Sequence, residues 1–300
     1  MNRFIFPIRM LLDKKRKREH NPGPYLGQAF AVPRTGVDDV NVRLYRPVGD
    51  VTRPLPALFN IHGGGWLFGD AEGVDLQSQY LANRLGCFVV NIDYRLLDDA
   101  PFPYQQSEAA DAVCWFRDHA AEFGLDPDRL ALAGYSAGGH IAAGAAMLLR
   151  DRGVRLRAQI LGYPFLDFNG FDFAGYVGAR GPARVIFNRF ARSVLFEKMP
   201  QDAPLISPGS AALTALAGLA PAVILSCGKN DPLLPQAEAY AERLRAAGVD
   251  AVYREYREAE HGFLERNFPD DPAAFEAESA QDRLMRDAVE FIREQEIFAN

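Results

Sequence analysis

Unbroken apolar runs alternate along the chain with segments whose apolar positions recur every three or four residues. The runs Val42 to Pro47, Ala57 to His62, Phe88 to Arg95, Leu130 to Tyr135, Ala158 to Tyr163, Ala222 to Cys227 and Ala251 to Tyr256 predict strands. Between most of them the helical period predicts helices over Asp75 to Leu85, Gln106 to Phe123, Ala137 to Arg150, Gln236 to Ala247 and Pro272 to Gln295. Strands that are apolar without alternation belong where helices cover both faces of a parallel sheet, so the fold class is α/β. The segment Phe165 to Ser207, rich in phenylalanine and glycine, breaks the alternation and is expected to form a cap over one edge of the sheet.

Composition narrows the reading. With 300 residues, 48% of them hydrophobic and 24% charged, the chain has the apolar material for one large core, and a single domain with a small insertion is expected. A net charge of -6 offers no basic field for nucleic acid. Cys87, Cys114 and Cys227 are scattered, without metal-binding spacing, and read as reduced core thiols of a cytoplasmic protein. The N-terminal segment places its apolar residues before its basic run, the reverse of a secretory signal, and no apolar stretch is long enough to span a bilayer. Lys14 to Arg18 read as a solvated helix end rather than a membrane contact.

The chemistry concentrates at LALAGYSAGGH, Leu130 to His140, where a strand pattern turns directly into a helix pattern. A strand that enters a helix without a loop strains the residue at the corner, and small neighbours let the two backbones pass. Gly134 and Gly138 flank Ser136 in that way, which marks Ser136 as a nucleophile held beyond the carboxyl edge of the sheet. A hydroxyl needs a base. Of the five histidines, His261 lies in a loop after the last strand and is the choice, while His140, one turn beyond Ser136, points down the helix toward the sheet. Asp231 follows the run AVILSCGKN on the same edge and is the expected acid; Asp250 lies across the sheet. The chain order Ser136, Asp231, His261 is that of an α/β-hydrolase triad. The sequence NIHGGGW offers backbone N–H groups to an oxyanion, with Gly63, Gly64 and Ala137 as expected donors. A phosphate-binding loop is excluded by the missing lysine and following Ser/Thr. His62 is expected to brace the loop. The histidines show no metal-ligand spacing, and neither metal nor cofactor is expected.

HGGGW, DYRL with APFP, GYSAGGH, YPFLD, ISP, DPL and HGF, in this order, resemble the hormone-sensitive-lipase-like branch of the α/β-hydrolase esterases over about Leu44 to Phe268. The resemblance implies a sheet of about eight strands and a cap built from about residues 1–40 together with 165–207. It also implies carboxylester hydrolysis with the oxyanion, nucleophile, acid and base residues already named. Three departures stand out. Tyr135 precedes the nucleophile where many members carry aspartate, YRLLDDAPFP replaces the usual YRLAPE, and Leu234 and Pro235 stand where an acidic residue often follows DPL. Trp66, Tyr135, Phe165, Phe187 and Phe190 are the expected pocket walls, although the cap aromatics serve equally well to glue cap to core. The expected partner is a small ester, with a homodimer left open. Amide or formamide hydrolysis by the same triad, and a ligand receptor on an inactive hydrolase fold, are the competing readings; the presence of His261 speaks against the receptor.

Overall fold

The computed structural model describes residues 24–49, 54–97, 99–172, 174, 181–182, 184–185, 188–189, 192, 196, 199–228, 230–266 and 279–298. Eight strands form one sheet: β1 (Gln28–Val32), β2 (Val40–Tyr45), β3 (Leu55–Ile61), β4 (Phe88–Asp93), β5 (Leu125–Tyr135), β6 (Ala158–Gly162), β7 (Ala222–Cys227) and β8 (Ala251–Tyr256). Their spatial order is β1-β2-β4-β3-β5-β6-β7-β8. The β1–β2 and β2–β4 pairs are antiparallel, and every pair from β4 to β8 is parallel. Every residue of β3, β6 and β7 is buried, which is why these strands are continuous apolar runs in the sequence.

The main helices are α1 (Asp75–Leu85), α2 (Tyr104–Asp118), α3 (Ala137–Asp151), α4 (Leu234–Ala246) and α5 (Ala280–Glu294). Helices α2 and α3 pack against one another in the larger apolar cluster, joined by Ala237, Tyr240 and Leu244 of α4. On the other face, α1 and α5 meet over Leu58, Val89 and Ile160. The helix expected to run to Phe123 stops at Asp118, and a separate turn covers Ala120–Phe123. At the break, the His119 ring stacks on Trp115 at 4.0 Å and its Nδ1 donates to the Trp115 carbonyl at 2.8 Å. Helix α5 starts at Ala280 because Ser279 and Asp282 cap each other's backbone N–H groups.

Two boundaries of the expected cap are corrected. Residues 28–32 are edge strand β1 rather than cap, because the segment QAFAV pairs residue by residue with β2. Both ends of the 165–207 insertion belong to the core: Phe165, Leu166, Phe168, Ile206 and Ser207 are all buried. The aromatic positions Phe173, Tyr176, Phe187 and Phe190 lie outside the described residues.

Candidate active site

The turn at Ser136 has the expected build. β5 ends at Tyr135 and α3 begins at Ala137, leaving Ser136 alone at the corner with φ 53 and ψ -115. A non-glycine residue held there costs on the order of 1–3 kcal/mol, so its surroundings must fix it. They do so through three backbone hydrogen bonds. Ser136 N–H donates to Gly162 O at 2.9 Å, while its carbonyl accepts from His140 N–H at 3.2 Å and Phe165 N–H at 3.1 Å. A Cβ at Gly134 would fall 2.2 Å from the carbonyl oxygen of Gly138, and one at Gly138 would fall 2.2 Å from that of Ile61. Both glycines are therefore present for backbone contact, and the second sets the start of α3 directly against the end of β3.

His261 joins residues drawn from three distant parts of the chain. Its Nε2 lies 2.9 Å from Ser136 Oγ and its Nδ1 lies 2.8 Å from Asp231 Oδ2. With Nδ1–H donated to a carboxylate, Nε2 is the ring nitrogen free to accept the hydroxyl proton. Ser136 and Asp231 are each 8% exposed, whereas the His261 side chain is 33% exposed. Asp231 also receives the Cys227 thiol on Oδ2 at 2.7 Å and the Leu233 N–H on Oδ1 at 2.9 Å. Burial works to raise the Asp231 carboxyl, but the His261, Cys227 and Leu233 donors outweigh it and hold the acid below the usual carboxylate range. Cys227, Asp231 and His261 also form a compact set of metal-ligand types, their ligand atoms within 4.8 Å of one another. Both neighbours of the carboxylate already donate to the same Oδ2, and burial pushes the Cys227 thiol up, so it is protonated.

The glycine loop after β3 is fixed from several sides. Gly63 O accepts from His62 Nδ1 at 2.7 Å and from the Tyr94 hydroxyl at 3.3 Å. Gly64 O accepts from the N–H groups of Leu67 and Phe68 at 3.2 and 3.0 Å. His62 braces the loop as expected, its ring stacked on Tyr94 at 4.3 Å. The expected donor Gly63 needs correction, since its N–H points to Glu265 Oε1 at 2.5 Å. Among the described residues nothing accepts from the N–H groups of Gly64, Gly65 and Ala137.

The three described residues expected as pocket walls are core residues instead. Trp66 is 7% exposed and its indole N–H donates to His140 Nδ1 at 3.1 Å. Phe165 meets Trp66 edge-on at 5.0 Å, and Tyr135 lies beside Tyr163 at 6.3 Å, both of them buried. Phe187 and Phe190 lie outside the described residues. His140 completes this packing: its Nε2 donates to the Ile206 carbonyl at 2.9 Å. Burial pushes His140 down to about 4, against the pull of Ile206 O, so the ring is neutral and ties the glycine loop to the end of the insertion.

Sequence reasoning did not single out Glu265, Tyr163 or the thiol of Cys227. Tyr163, with φ 33, sets its ring 4.8 Å from that of His261 and donates its hydroxyl to Glu265 Oε2 at 3.1 Å. An acid in the otherwise apolar GFLE, four residues after the candidate base, was the available signal for Glu265.

A family model described as alpha/beta hydrolase fold matches residues 58–265. The chain is 30% identical to an arylesterase of Saccharolobus solfataricus over 233 residues, covering 75% of this chain and 73% of that one. It is 36% identical to the carboxylesterase NlhH of Mycobacterium tuberculosis over 237 residues, covering 76% and 72%. Among solved structures, a hyperthermophilic esterase from Pyrobaculum calidifontis aligns with a TM-score of 0.75 at 30% identity, covering 97% of this chain and 92% of that one. No helix among the described residues is long and apolar enough to cross a membrane.

Proposed function

The chain belongs to the alpha/beta hydrolase fold family, in its hormone-sensitive-lipase-like branch, and we propose that it acts as a serine carboxylesterase on small, short-acyl esters with Ser136, His261 and Asp231 as its triad. The observation that carries this reading is the position of His261, within hydrogen-bond reach of Ser136 Oγ at 2.9 Å and of Asp231 Oδ2 at 2.8 Å. Ser136 Oγ attacks the ester carbonyl while its proton passes to His261 Nε2, and Asp231 stabilises the imidazolium without taking its proton. The oxyanion is held by the N–H groups of Gly64 and Ala137, with Gly65 alongside, and by the positive end of α3. The bond to the alkoxy oxygen then breaks, His261 returns the proton to the leaving alcohol, and water repeats the sequence on the acyl-enzyme.

The 8% exposure of Ser136 supports the short-acyl preference. A compact pocket gains about 0.8 kcal/mol from each methylene only until its wall is reached, which places the optimum at roughly two to six acyl carbons. The reduced cysteines support a cytoplasmic setting: Cys87, Cys114 and Cys227 are all free thiols. Ser136→Ala is expected to lower p-nitrophenyl butyrate turnover on the order of a million-fold while leaving circular dichroism unchanged. Turnover near the wild-type rate would overturn the assignment. A panel of p-nitrophenyl esters from acetate to palmitate, with an anilide beside them, reads the acyl and ester preferences.

A further inference from the structure

Glu265 takes no part in the proton relay, yet its carboxyl stands between the two loops that the reaction needs. It closes the short turn Phe263–Glu265, begun just after His261, by donating its own N–H to Gly262 O at 3.0 Å. From there Oε1 accepts the Gly63 N–H at 2.5 Å and Oε2 accepts the Tyr163 hydroxyl at 3.1 Å. A Cβ at residue 63 would lie 2.7 Å from Oε2, so the carboxylate would have to shift to accommodate any residue larger than glycine there. The Tyr163 ring lies against the His261 imidazole at 4.8 Å, so the same carboxyl that holds the glycine loop also orders the ring packed on the base.

We propose that Glu265 is a positioning residue for acyl transfer: its carboxylate clamps the oxyanion loop to the turn that carries the base, and the clamp is complete only while that carboxylate is ionised. This rests on the roles given above to Ser136, His261, Gly64 and Ala137. The chemistry favours the ionised form for the clamp. Gly63 N–H and the Tyr163 hydroxyl are both donors, and a charged acceptor makes hydrogen bonds roughly twice as strong as a neutral one. A protonated acid has an O–H of its own to place, which requires Tyr163 to turn from donor to acceptor or the Gly63 contact to loosen. Gly64, whose N–H is assigned to the oxyanion, is the next residue along that loop.

The titratable groups acting on Glu265 are His261 from its own turn, Tyr163 at the end of β6 and Tyr135 at the end of β5. Burial pushes the carboxyl up to about 7, while Gly63 N–H, the Tyr163 hydroxyl and His261 pull it back. The clamp therefore changes state near neutrality. Activity then falls on the acid side for two reasons, protonation of the base and protonation of the clamp.

The test is the pH dependence of kcat/KM from about pH 4.5 to pH 8, where each required deprotonation adds one to the limiting slope of the logarithmic acid limb. The wild-type limb is expected to approach a slope of two and that of Glu265→Gln a slope of one, with kcat of the variant lowered about tenfold and KM within about twofold. A wild-type slope of one overturns the proposal, as does a Glu265→Gln variant that keeps the wild-type limb and kcat. Should that variant not fold, the wild-type limb still decides, and Tyr163→Phe provides a second arm. Loss of the phenol donor is expected to move the steep part of the limb to higher pH, and an unmoved limb counts against the clamp. Labelling of Ser136 by a p-nitrophenyl phosphonate is followed in parallel. It needs nucleophile, base and oxyanion loop but no particular ester, so labelling without turnover places the failure in the substrate assignment while the labelling profile still reads the clamp.

Discussion

At the scale of single residues, the acid of the candidate triad is held more firmly than an aspartate at the start of a helix needs to be. Asp231 accepts three donors, and two of them, His261 Nδ1–H and the Cys227 thiol, converge on one oxygen. Cys227 looks inert in the sequence, one more small apolar residue ending a strand, yet its S–H helps fix the carboxylate that orients the base. A net hydrogen bond of about 1 kcal/mol corresponds to roughly a fivefold change in rate if it acts wholly through that orientation. Cys227→Ala is therefore expected to lower kcat about fivefold, and Cys227→Ser, which can still donate, to stay within about twofold. Steady-state kinetics on both variants check this, and equal losses would assign Cys227 to packing alone. Asp231→Asn is expected to cost on the order of ten-thousand-fold in kcat, because the amide donates where Nδ1–H must be accepted. A fully active Asp231→Asn enzyme would move the acid elsewhere.

The element that matters most is the junction of β5 and α3. Three of the four non-glycine residues with positive φ among the described residues, Trp66, Ser136 and Tyr163, lie in or beside the candidate site. Such conformations persist where neighbouring backbone leaves no alternative. Gly138 shows how closely the surroundings are drawn, for a Cβ would fall 2.2 Å from Ile61 O and 2.4 Å from His62 O. These are backbone atoms at the start of the glycine loop, so the clash cannot be relieved by a side-chain rotation. Gly138→Ala is expected to lower stability by about 3 kcal/mol in urea denaturation and to reduce turnover further than the remaining folded fraction explains, since α3 must move off the loop. A variant of wild-type stability and rate would show that the two elements pack less tightly than this.

For the whole molecule, the pH dependence of stability is set by buried groups with opposing signs. His140 is held neutral in the fold at about 4, against about 6.5 in an unfolded chain. Its contribution is present above pH 6.5 and is lost as pH falls toward 4, because the unfolded chain takes up the proton first. Glu108 and Glu265 act the other way. Burial pushes both carboxyls up to about 7, against donors and nearby charges that include Arg95 for Glu108 and Gly63 and Tyr163 for Glu265. Their contribution is present at low pH and is lost as pH rises through 7. The His140 part is isolated by difference: the stability gap between wild type and His140→Gln in urea is expected to narrow by on the order of 3 kcal/mol between pH 7 and about pH 4. A gap constant across that range would mean that His140 is not buried as a neutral ring.

The sequence by itself determined the fold class, seven of the eight strands, and Ser136, Asp231 and His261 as residues that the fold brings together. Each of these is written in a short stretch of consecutive residues or in its place along the chain. Strands covered on both faces leave unbroken apolar runs, a strand turning straight into a helix needs small residues beside its corner, and loops at the carboxyl ends of parallel strands meet at one edge. β1 escaped because its run, AFAV, is only four residues long, and it is its pairing with β2 that identifies it as a strand. Only the tertiary structure decided which N–H groups remain available to an oxyanion, since Gly63 is taken by a carboxylate 202 residues away. It likewise decided that Trp66, Tyr135 and Phe165 pack the core, that His140 is a neutral brace, and that Cys227 serves the acid. These outcomes depend on how elements meet in space: Gly63, Trp66 and His140 find partners far along the chain, while Cys227 reaches Asp231 across the turn that follows its strand. Hydrophobic patterning places a residue on a face of its element, whereas a hydrogen bond is set by the final few tenths of an ångström of packing between elements.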